Sequence, residues 1–295
     1  GVNDTLVDGT AAYSVITAAA TSADNGYNGL NAADVSLTNT DNDSVNTIVV
    51  DTAADTTDGD TSSLTALMAN KGADGKVSLR EAITAANATS NGVGGADIID
   101  FAIGTQGSTQ TLNLGAALPD ITDRVTLDGR SQGGAGYTGA PLIVLNGGAV
   151  ATNGLSVVGA GASSSLLRGL AIGNFTQNGV LISGANSVSV MGNYIGTDAS
   201  GSAAAANYRG ISIFNANGTL LGSISAADRN LISGNTAEGI WVRGNSTGTV
   251  IRNNLIGINA AGNAALGNDM GVVLQSSGSH TVDGNVISGN VTNGI

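Results

Sequence analysis

The sequence predicts an all-β fold of the solenoid type, in which successive coils stack and pair through short parallel strands. Three observations support this prediction. Runs of Ile, Leu and Val recur along the second half of the 295-residue chain, Gly and Asn border each run, and aromatic residues make up only 3% of the sequence. A core without large aromatic side chains needs small and β-branched residues that pack closely, and stacked coils provide such a core.

A Gly followed by a short apolar or alternating run forms the first repeated pattern. It occurs as NGVLI (178–182), RGISI (209–213), EGIWV (238–242), MGVVL (270–274) and NGI (293–295). The Gly residues at 179, 210, 239, 271 and 294 are therefore 31, 29, 32 and 23 residues apart. This spacing fits one coil of a solenoid that contains two or three short strands.

A second pattern lies between the members of the first. It occurs as RGLAIGN (168–174), GNYIGTD (192–198), RNLISGN (229–235), NNLIGIN (253–259) and GNVISGN (284–290). Alternation of apolar residues over three to five positions predicts short strands. Gly and Asn tolerate the left-handed backbone conformation, so they predict sharp corners between these strands.

Over residues 97–295 the two patterns together resemble the right-handed parallel β-helix repeats of secreted bacterial proteins. Asn193, Asn230, Asn254 and Asn285 occupy equivalent places before the second run. We therefore expect their side-chain amides to form a hydrogen-bonded ladder from coil to coil. A role as single ligands is the less favoured interpretation.

Two similar Ala- and Gly-rich stretches interrupt the coils. They are GTDASGSAAAANYRG (196–210) and GINAAGNAALGNDMG (257–271), and they occur once per two coils. Insertions in solenoids form loops on one face. Because Ala and Gly supply no acid, base or nucleophile, we interpret both stretches as spacers.

A helix is predicted just before the repeats, within GKVSLREAITAANATSNG (75–92). Ser78 and Glu81 have the spacing of a capping box, and apolar residues then follow one helical face over 79–88. The stretch resembles the Cys-Ser-Leu-Arg-Glu-Ala segment that precedes β-helical regions of large bacterial surface proteins, with Val77 in place of the Cys. We expect the helix to cover the N-terminal end of the solenoid, and Arg80 and Glu81 to serve the cap rather than catalysis.

The N-terminal stretch has a different character. GTAAYSVITAAATSAD (9–24) and LNAADVSLTNTDNDS (30–44) each contain a strand pattern, and together they resemble the C-terminal half of a Calx-beta β-sandwich. The predicted organisation is a partial, antiparallel sandwich over 1–44, an Asp-rich linker with the capping helix over 45–96, and the β-helix over 97–295. The half sandwich and the unfinished last coil suggest a segment of a longer polypeptide.

Charge is distributed unevenly. The formal net charge is −12, and residues 1–60 contain ten Asp and neither Lys nor Arg. Such a surface disfavours nucleic acid and anionic membranes, and it suits either solvation or divalent cations. Spacing predicts calcium ligands at Asp55, Asp58 and Asp60. The Calx-beta resemblance implies further ligands at Asp4, Asp8, Asp41 and Asp43.

Two classes of function remain open. One is a non-enzymatic structural or adhesive module of a large exported bacterial surface or filament protein, stiffened by Ca²⁺ and located outside the cell. The alternative is a carbohydrate-active β-helix, either a polysaccharide lyase or hydrolase or a non-catalytic glycan binder. Three carboxylates, or two carboxylates and a basic residue, in one groove would favour the enzyme. The candidates are Asp120, Asp123 and Asp128, beside Arg124 and Arg130.

Other features bear on partners. His280 lies near Asp283, and Tyr194, Tyr208 and Trp241 are aromatic residues that could stack on a glycan. The chain contains no Cys, and no apolar run is long enough to predict a membrane span. The expected partners are other domains or subunits of the same protein, including end-to-end assembly, and surface glycans, but not nucleic acid.

Overall fold

A computed structural model of the protein describes residues 11–39, 46–91, 95–148 and 152–295. The chain divides into two compact units. The first comprises Gly1–Val45 with Gly92–Gly94, and the second comprises Asn46–Asn91 with Gly95–Ile295. The second unit therefore includes most of the stretch predicted as linker and capping helix.

The described part of the first unit contains a two-stranded antiparallel sheet of β1 (Ala11–Val15) and β2 (Val35–Asn39). Tyr13 lies opposite Leu37, and Val15 lies opposite Val35. These two strands confirm the strand patterns read from the sequence. The sandwich itself is not seen in these residues, so the resemblance to Calx-beta stays a prediction.

The second unit is built mainly from parallel strands. Its described residues also form helices α1 (Leu64–Ala69) and α2 (Leu79–Ala88) and 3-10 turns at Gly129–Gly133, Ala160–Ala162 and Ala226–Asp228. The strands are β3 (Thr47–Val50), β4 (Asp97–Phe101), β5 (Gln110–Asn113), β6 (Val125–Asp128), β7 (Ile143–Asn146), β8 (Leu155–Val158), β9 (Leu166–Arg168), β10 (Leu170–Gly173), β11 (Asn178–Ser183), β12 (Ser189–Met191), β13 (Tyr194–Ile195), β14 (Arg209–Phe214), β15 (Leu220–Leu221), β16 (Leu231–Ile232), β17 (Glu238–Gly244), β18 (Val250–Arg252), β19 (Leu255–Ile256), β20 (Met270–Ser276), β21 (Thr281–Asp283) and β22 (Val286–Ile287).

These strands form three parallel sheets. The first sheet has the order β3-β4-β6-β9-β12-β15-β18-β21, the second has the order β5-β7-β10-β13-β16-β19-β22, and the third has the order β8-β11-β14-β17-β20. From β6 onward the chain visits the first, second and third sheets in turn and then repeats this cycle. The arrangement is compatible with the predicted parallel β-helix.

The parallel strands begin earlier than the sequence indicates. β3 lies in the predicted linker, yet it pairs in parallel with β4, so that Ile48 is opposite Ile99. This strand was missed because its apolar run, Ile48 to Val50, has only three residues and lies far along the chain from its partner, outside the coil spacing.

Inward side chains stack in register. In the first sheet, one fully buried column runs through Ile99, Leu127, Leu167, Val190, Leu221 and Ile251. Burying one such side chain contributes about 1.5–3 kcal/mol. The columns explain how a chain with few aromatic residues obtains a core.

The predicted Asn ladder is present. The Oδ1 atoms of Asn230, Asn254 and Asn285 accept hydrogen bonds from the backbone N–H of the preceding Asn, at 2.9, 3.1 and 2.8 Å respectively. Each preceding Nδ2 also donates to the same Oδ1 atom. Asn193, Asn230 and Asn254 are completely buried, which makes every bond in the ladder costly to lose.

A second ladder was not predicted. Asn207 Nδ2 donates to Asn235 Oδ1, Asn235 Nδ2 donates to Asn268 Oδ1, and Asn268 Nδ2 donates to Asn290 Oδ1, at 3.1, 2.8 and 3.0 Å. The signal for this ladder was in the sequence, because each of these Asn residues precedes the Gly of the first pattern by three or four positions.

The two spacer stretches form matching small hairpins. Antiparallel bridges join Thr197 to Ala204 and Ile258 to Ala265. The hairpins follow β13 and β19, while the coil between them passes from β16 to β17 without an insertion. Even so, the Ala260 N–H donates to the Gly201 carbonyl at 2.9 Å, so the hairpins contact each other across the intervening coil.

Helix α2 matches its prediction in extent and in capping. Ser78 Oγ accepts from the Glu81 N–H, and the Glu81 carboxylate accepts from the Ser78 N–H. The helix packs against β3 and β4 at the beginning of the first sheet. Arg80 bonds to the carbonyls of Ala116 and Ala117, just beyond the first strand of the second sheet. These contacts place α2 where the sequence predicts a cap.

Candidate functional site

Four of the seven predicted calcium ligands, Asp4, Asp8, Asp41 and Asp43, lie outside the described residues. The other three, Asp55, Asp58 and Asp60, lie between β3 and α1. Calcium binding by the first group therefore stays a prediction, and only the second group has a described environment.

The three described aspartates already accept protein hydrogen bonds. Both oxygens of Asp55 accept from the Arg80 guanidinium at 2.8 Å. Asp58 accepts from the backbone N–H groups of residues 73 and 74, and Asp60 accepts from the Ser62 N–H. The hydrogen bonds from Ser62 lower the pKa of Asp60. Within the described ranges, no three Asp, Glu, His or Cys side chains are grouped so that they could hold a metal ion.

A groove of about 560 Å³ opens on the outward face of the first sheet. Its lining includes Asp100, Gln106, Asp128, Arg130, Tyr137 and Arg168. Two carboxylates and two guanidinium groups thus share one concave surface. We call this surface the acid–base groove.

The register of the sheet creates this grouping. Asp100 at the end of β4 pairs with Asp128 of β6, and Asp128 pairs with Arg168 of β9. Asp100 and Arg168 occupy less buried positions of their strands, whereas Asp128 at the end of β6 is buried but still lines the groove. Adjacent strands lie about 4.8 Å apart, so the three charged groups form a continuous row.

Asp128 is the centre of the row. Its Oδ2 lies 2.5 Å from Arg168 Nη2, and its Oδ1 accepts from the Arg130 N–H at 3.0 Å. The Arg130 guanidinium reaches Asp228 Oδ1 at 3.2 Å. Arg168 Nε is buried and has no hydrogen-bond partner among the described residues. Both arginines are therefore fixed, and Arg168 keeps an unused donor.

The two carboxyl groups differ in environment. Burial raises the pKa of Asp100, and the negative charge of Asp128 raises it further, while Arg168 and Ser131 offset part of this effect. The hydrogen bond to Asp128 raises the pKa of Arg168, which keeps this guanidinium charged. Asp100 thus holds its proton to higher pH than an ordinary Asp side chain does.

Two carboxylates and a basic residue in one groove are the arrangement that would favour a carbohydrate-active enzyme. Paired carboxyl groups are the basis of acid–base chemistry on glycosidic bonds. Of the three predicted acids, Asp128 lines the groove, whereas Asp120 and Asp123 are not among its lining residues. Asp100 was not predicted as a site residue, although the alternation within DIIDF (97–101) places it on the outward face.

His280 does not form an acid–base pair with Asp283. The His280 Nδ1 accepts from the Thr249 N–H, so its Nε2 carries the proton and donates to Ser276 Oγ at 2.6 Å. Burial lowers the pKa of His280. Asp283 pairs instead with Arg252 at 3.0 Å. In this tautomer His280 cannot remove a proton from Ser276.

The three aromatic candidates lie in different places. Tyr194 belongs to the second sheet and packs against the cluster of Leu231, Leu255 and Ile258. Trp241 is on the outward face of the third sheet, and Tyr208 lies immediately before β14 of that sheet. Only Tyr208 and Trp241 are therefore close enough to belong to one surface.

Asp97 at the start of β4 is a buried carboxyl group with no hydrogen-bond partner for either oxygen among the described residues. Burial, and then the charge of Asp123, raise its pKa from 3.8 to about 7. The unfolded chain loses this proton at lower pH than the folded chain does. The contribution to stability is therefore complete below about pH 4 and is lost as the pH rises towards 7.

We accordingly expect Asp97→Asn to raise the free energy of unfolding at pH 8 by on the order of 2–4 kcal/mol, with a smaller gain at pH 5. Urea unfolding of both proteins across this pH range measures the difference. A difference that does not change with pH contradicts the assignment.

No protein-family model matches the chain, and a search of curated proteins found no significant match. The fold and the site chemistry therefore have to support any functional proposal. Among the described residues, no helix combines the length and the apolar character needed to cross a membrane.

Proposed function

We propose that the chain is a structural or adhesive module, built as a right-handed parallel β-helix, of a large exported bacterial surface protein or extracellular filament. One observation carries this proposal. Two ladders of buried Asn side chains, one from Asn193 to Asn285 and one from Asn207 to Asn290, run through successive coils.

The ladders favour a rod because of the way they distribute stability. The Asn side chains bond to backbone groups of the preceding coil and to the Asn of the following coil, so every coil depends on contact with the next. Stability then grows with the number of coils rather than with the size of a compact core. A protein that must hold a shape over a long distance benefits from this property.

The location can be tested directly. Antibodies raised against this chain should label intact, unpermeabilised cells of the source, at the cell surface or along filaments. An antibody against a cytoplasmic protein controls for leakage. Label that appears only after permeabilisation contradicts the proposal.

We also propose that calcium stabilises the N-terminal part of the chain. A ligand that binds only the native state raises the free energy of unfolding by about 2.7 kcal/mol at a hundredfold excess over its Kd. Calorimetric unfolding of the full chain should therefore show a higher midpoint in calcium than in chelator. Asp58→Asn serves as the site variant. Equal midpoints in both solutions contradict calcium binding.

A second candidate function is supported by the acid–base groove. The proposed ligand is an acidic polysaccharide whose carboxylate groups bind Arg130 or Arg168, with Asp100 and Asp128 beside the scissile bond. The paired carboxyl groups support cleavage, whereas the ion pair of Asp128 with Arg168 is equally compatible with a structural row. We therefore retain the non-enzymatic module as the first proposal.

These two proposals predict different results with polygalacturonate and alginate. For the structural module we expect no new reducing or unsaturated ends. Cleavage that falls by about 10²–10⁴-fold in Asp100→Asn, and is unchanged in the exposed variant Asp120→Asn, would establish the second function instead. Thermal unfolding of both variants shows whether a loss reflects misfolding.

A further inference from the structure

Aromatic and guanidinium groups are interleaved on the outward face of the third sheet. The members are Tyr208, Arg209, Phe214, Trp241 and Arg243, which we call the stacked cluster. In the register of β14 and β17, Ser212 pairs with Trp241 and Phe214 pairs with Arg243. The cluster therefore spans adjacent coils and belongs neither to the acid–base groove nor to the core.

The ring contacts hold both arginines in place. Arg209 Cζ lies 4.5 Å from the Tyr208 ring centroid and 4.4 Å from that of Trp241. Arg243 Cζ lies 4.6 Å from the Phe214 centroid and 4.4 Å from that of Trp241. Stacked guanidinium planes lose little further conformational entropy when they bind a ligand.

The two arginines differ in their charge partners. Arg209 Nε donates to Glu238 Oε2 at 2.6 Å, which compensates its charge. Arg243 has no carboxylate partner among the described residues, and its Nε is buried without a hydrogen-bond partner. An oriented, unpaired guanidinium is notable in a chain of net charge −12. Because Nε is buried, the two terminal Nη groups offer the planar pair of donors that a carboxylate or sulfate accepts.

The rings supply the apolar part of a site. Tyr208 is 44% exposed and also lines a neighbouring cavity beside Phe175. Trp241 donates its indole N–H to Gln275 Oε1 at 3.0 Å, so the polar edge of the ring is already satisfied. The chain of ring contacts keeps the Arg243 guanidinium within about 13 Å of the Tyr208 ring, a distance that a short oligosaccharide can span.

We propose that the stacked cluster binds an acidic oligosaccharide that lies along β17, with its carboxylate or sulfate group on Arg243 and a sugar ring against Tyr208. The inference goes beyond the structural role proposed above, and neither depends on the other. It also differs from the groove proposal, because the two surfaces are on different sheets and the stacked cluster binds its ligand without cleaving a bond.

Trp241 is the only tryptophan, so its fluorescence reports on this surface alone. The full chain is titrated with trigalacturonate, with a sulfated trisaccharide and with neutral maltotriose. We expect at least one acidic trisaccharide to bind and to change the Trp241 emission, and we expect maltotriose not to bind. The acidic trisaccharide that binds more tightly shows whether the stacked cluster prefers a carboxylate or a sulfate group.

Arg243→Gln should weaken this binding about ten- to hundredfold, because a charged hydrogen-bond pair is lost. Arg243→Lys keeps the charge without the planar fork and should recover only part of the affinity. Arg252→Gln is the matched control, because it removes an outward arginine of the first sheet, and it should bind as the unmodified chain does. Thermal unfolding confirms that each variant is folded.

Several results would overturn the proposal. They are no binding of either acidic trisaccharide, equal binding of maltotriose, or equal weakening by Arg243→Gln and Arg252→Gln. Binding of hexaglutamate as tight as that of the acidic sugars would also overturn it, since the cluster would then recognise acidic peptides.

Discussion

Replacement of Asn230 by Ala should lower the free energy of unfolding by about 3–5 kcal/mol. Asn230 is completely buried and sits in the middle of the first ladder. Its Nδ2 donates to the Val190 carbonyl at 2.8 Å, and its Oδ1 accepts from the Asn193 N–H at 2.9 Å. Truncation leaves these backbone groups buried without partners, and each such group costs about 1–3 kcal/mol.

Two further variants separate hydrogen bonding from loss of volume. Asn230→Asp keeps the shape but replaces the donor by an oxygen, which would face the Val190 carbonyl and Asn254 Oδ1. We expect it to be at least as destabilising as Asn230→Ala. Asn263→Ala, at an exposed Asn of the second hairpin, should change stability by no more than about 0.5 kcal/mol. Urea unfolding measures all three, and a similar loss for Asn230→Ala and Asn263→Ala contradicts the role of the ladder.

Glu81→Ala should lower the free energy of unfolding by about 3–6 kcal/mol, a loss comparable with that of Asn230→Ala. Glu81 lies in helix α2, near the beginning of the same unit. Glu81 is completely buried, and its carboxylate accepts from three backbone N–H groups. Those groups belong to Asp58, Gly59 and Ser78, at 2.8, 2.8 and 2.9 Å. The side chain thus caps α2 and also holds the preceding acidic segment against the helix.

Hydrogen exchange gives the most specific measurement of this contact. In Glu81→Ala the amides of residues 58 and 59 should exchange much faster, because their acceptor is gone. Asp120→Ala removes an exposed carboxyl group near the same helix and should leave both amides protected. Protection at 58 and 59 that survives in Glu81→Ala would show that other contacts hold the segment.

The sequence best predicted those features in which a local sequence pattern also determines how the side chains pack. Helix α2 follows from the capping box and one apolar face, and the first ladder follows from Asn at a constant place before a repeated run. Both features depend on residues that are close in sequence or equivalent in successive coils. The spacing of the repeat was therefore sufficient to predict them.

The acid–base groove could not be predicted in the same way. Asp100, Asp128 and Arg168 become neighbours only because of the register between β4, β6 and β9, and the connections between these strands differ in length. Asp100 lies in an apolar strand, which by itself gives no sign of a site. The unpaired state of Arg243 likewise depends on which side chains lie around it in the folded sheet.

The two hairpins lie on alternate coils and contact each other across the coil between them. An insertion follows β13 and β19 but not β16, and the hairpins meet through Ala260 and Gly201. Removal of the intervening coil, which contains β16, would let the ladders continue but would place the two hairpins on adjacent coils. The hairpins are thus spaced by a pair of coils and the ladders by single coils, so the loss of one coil would disturb the contact between the hairpins and not the ladders.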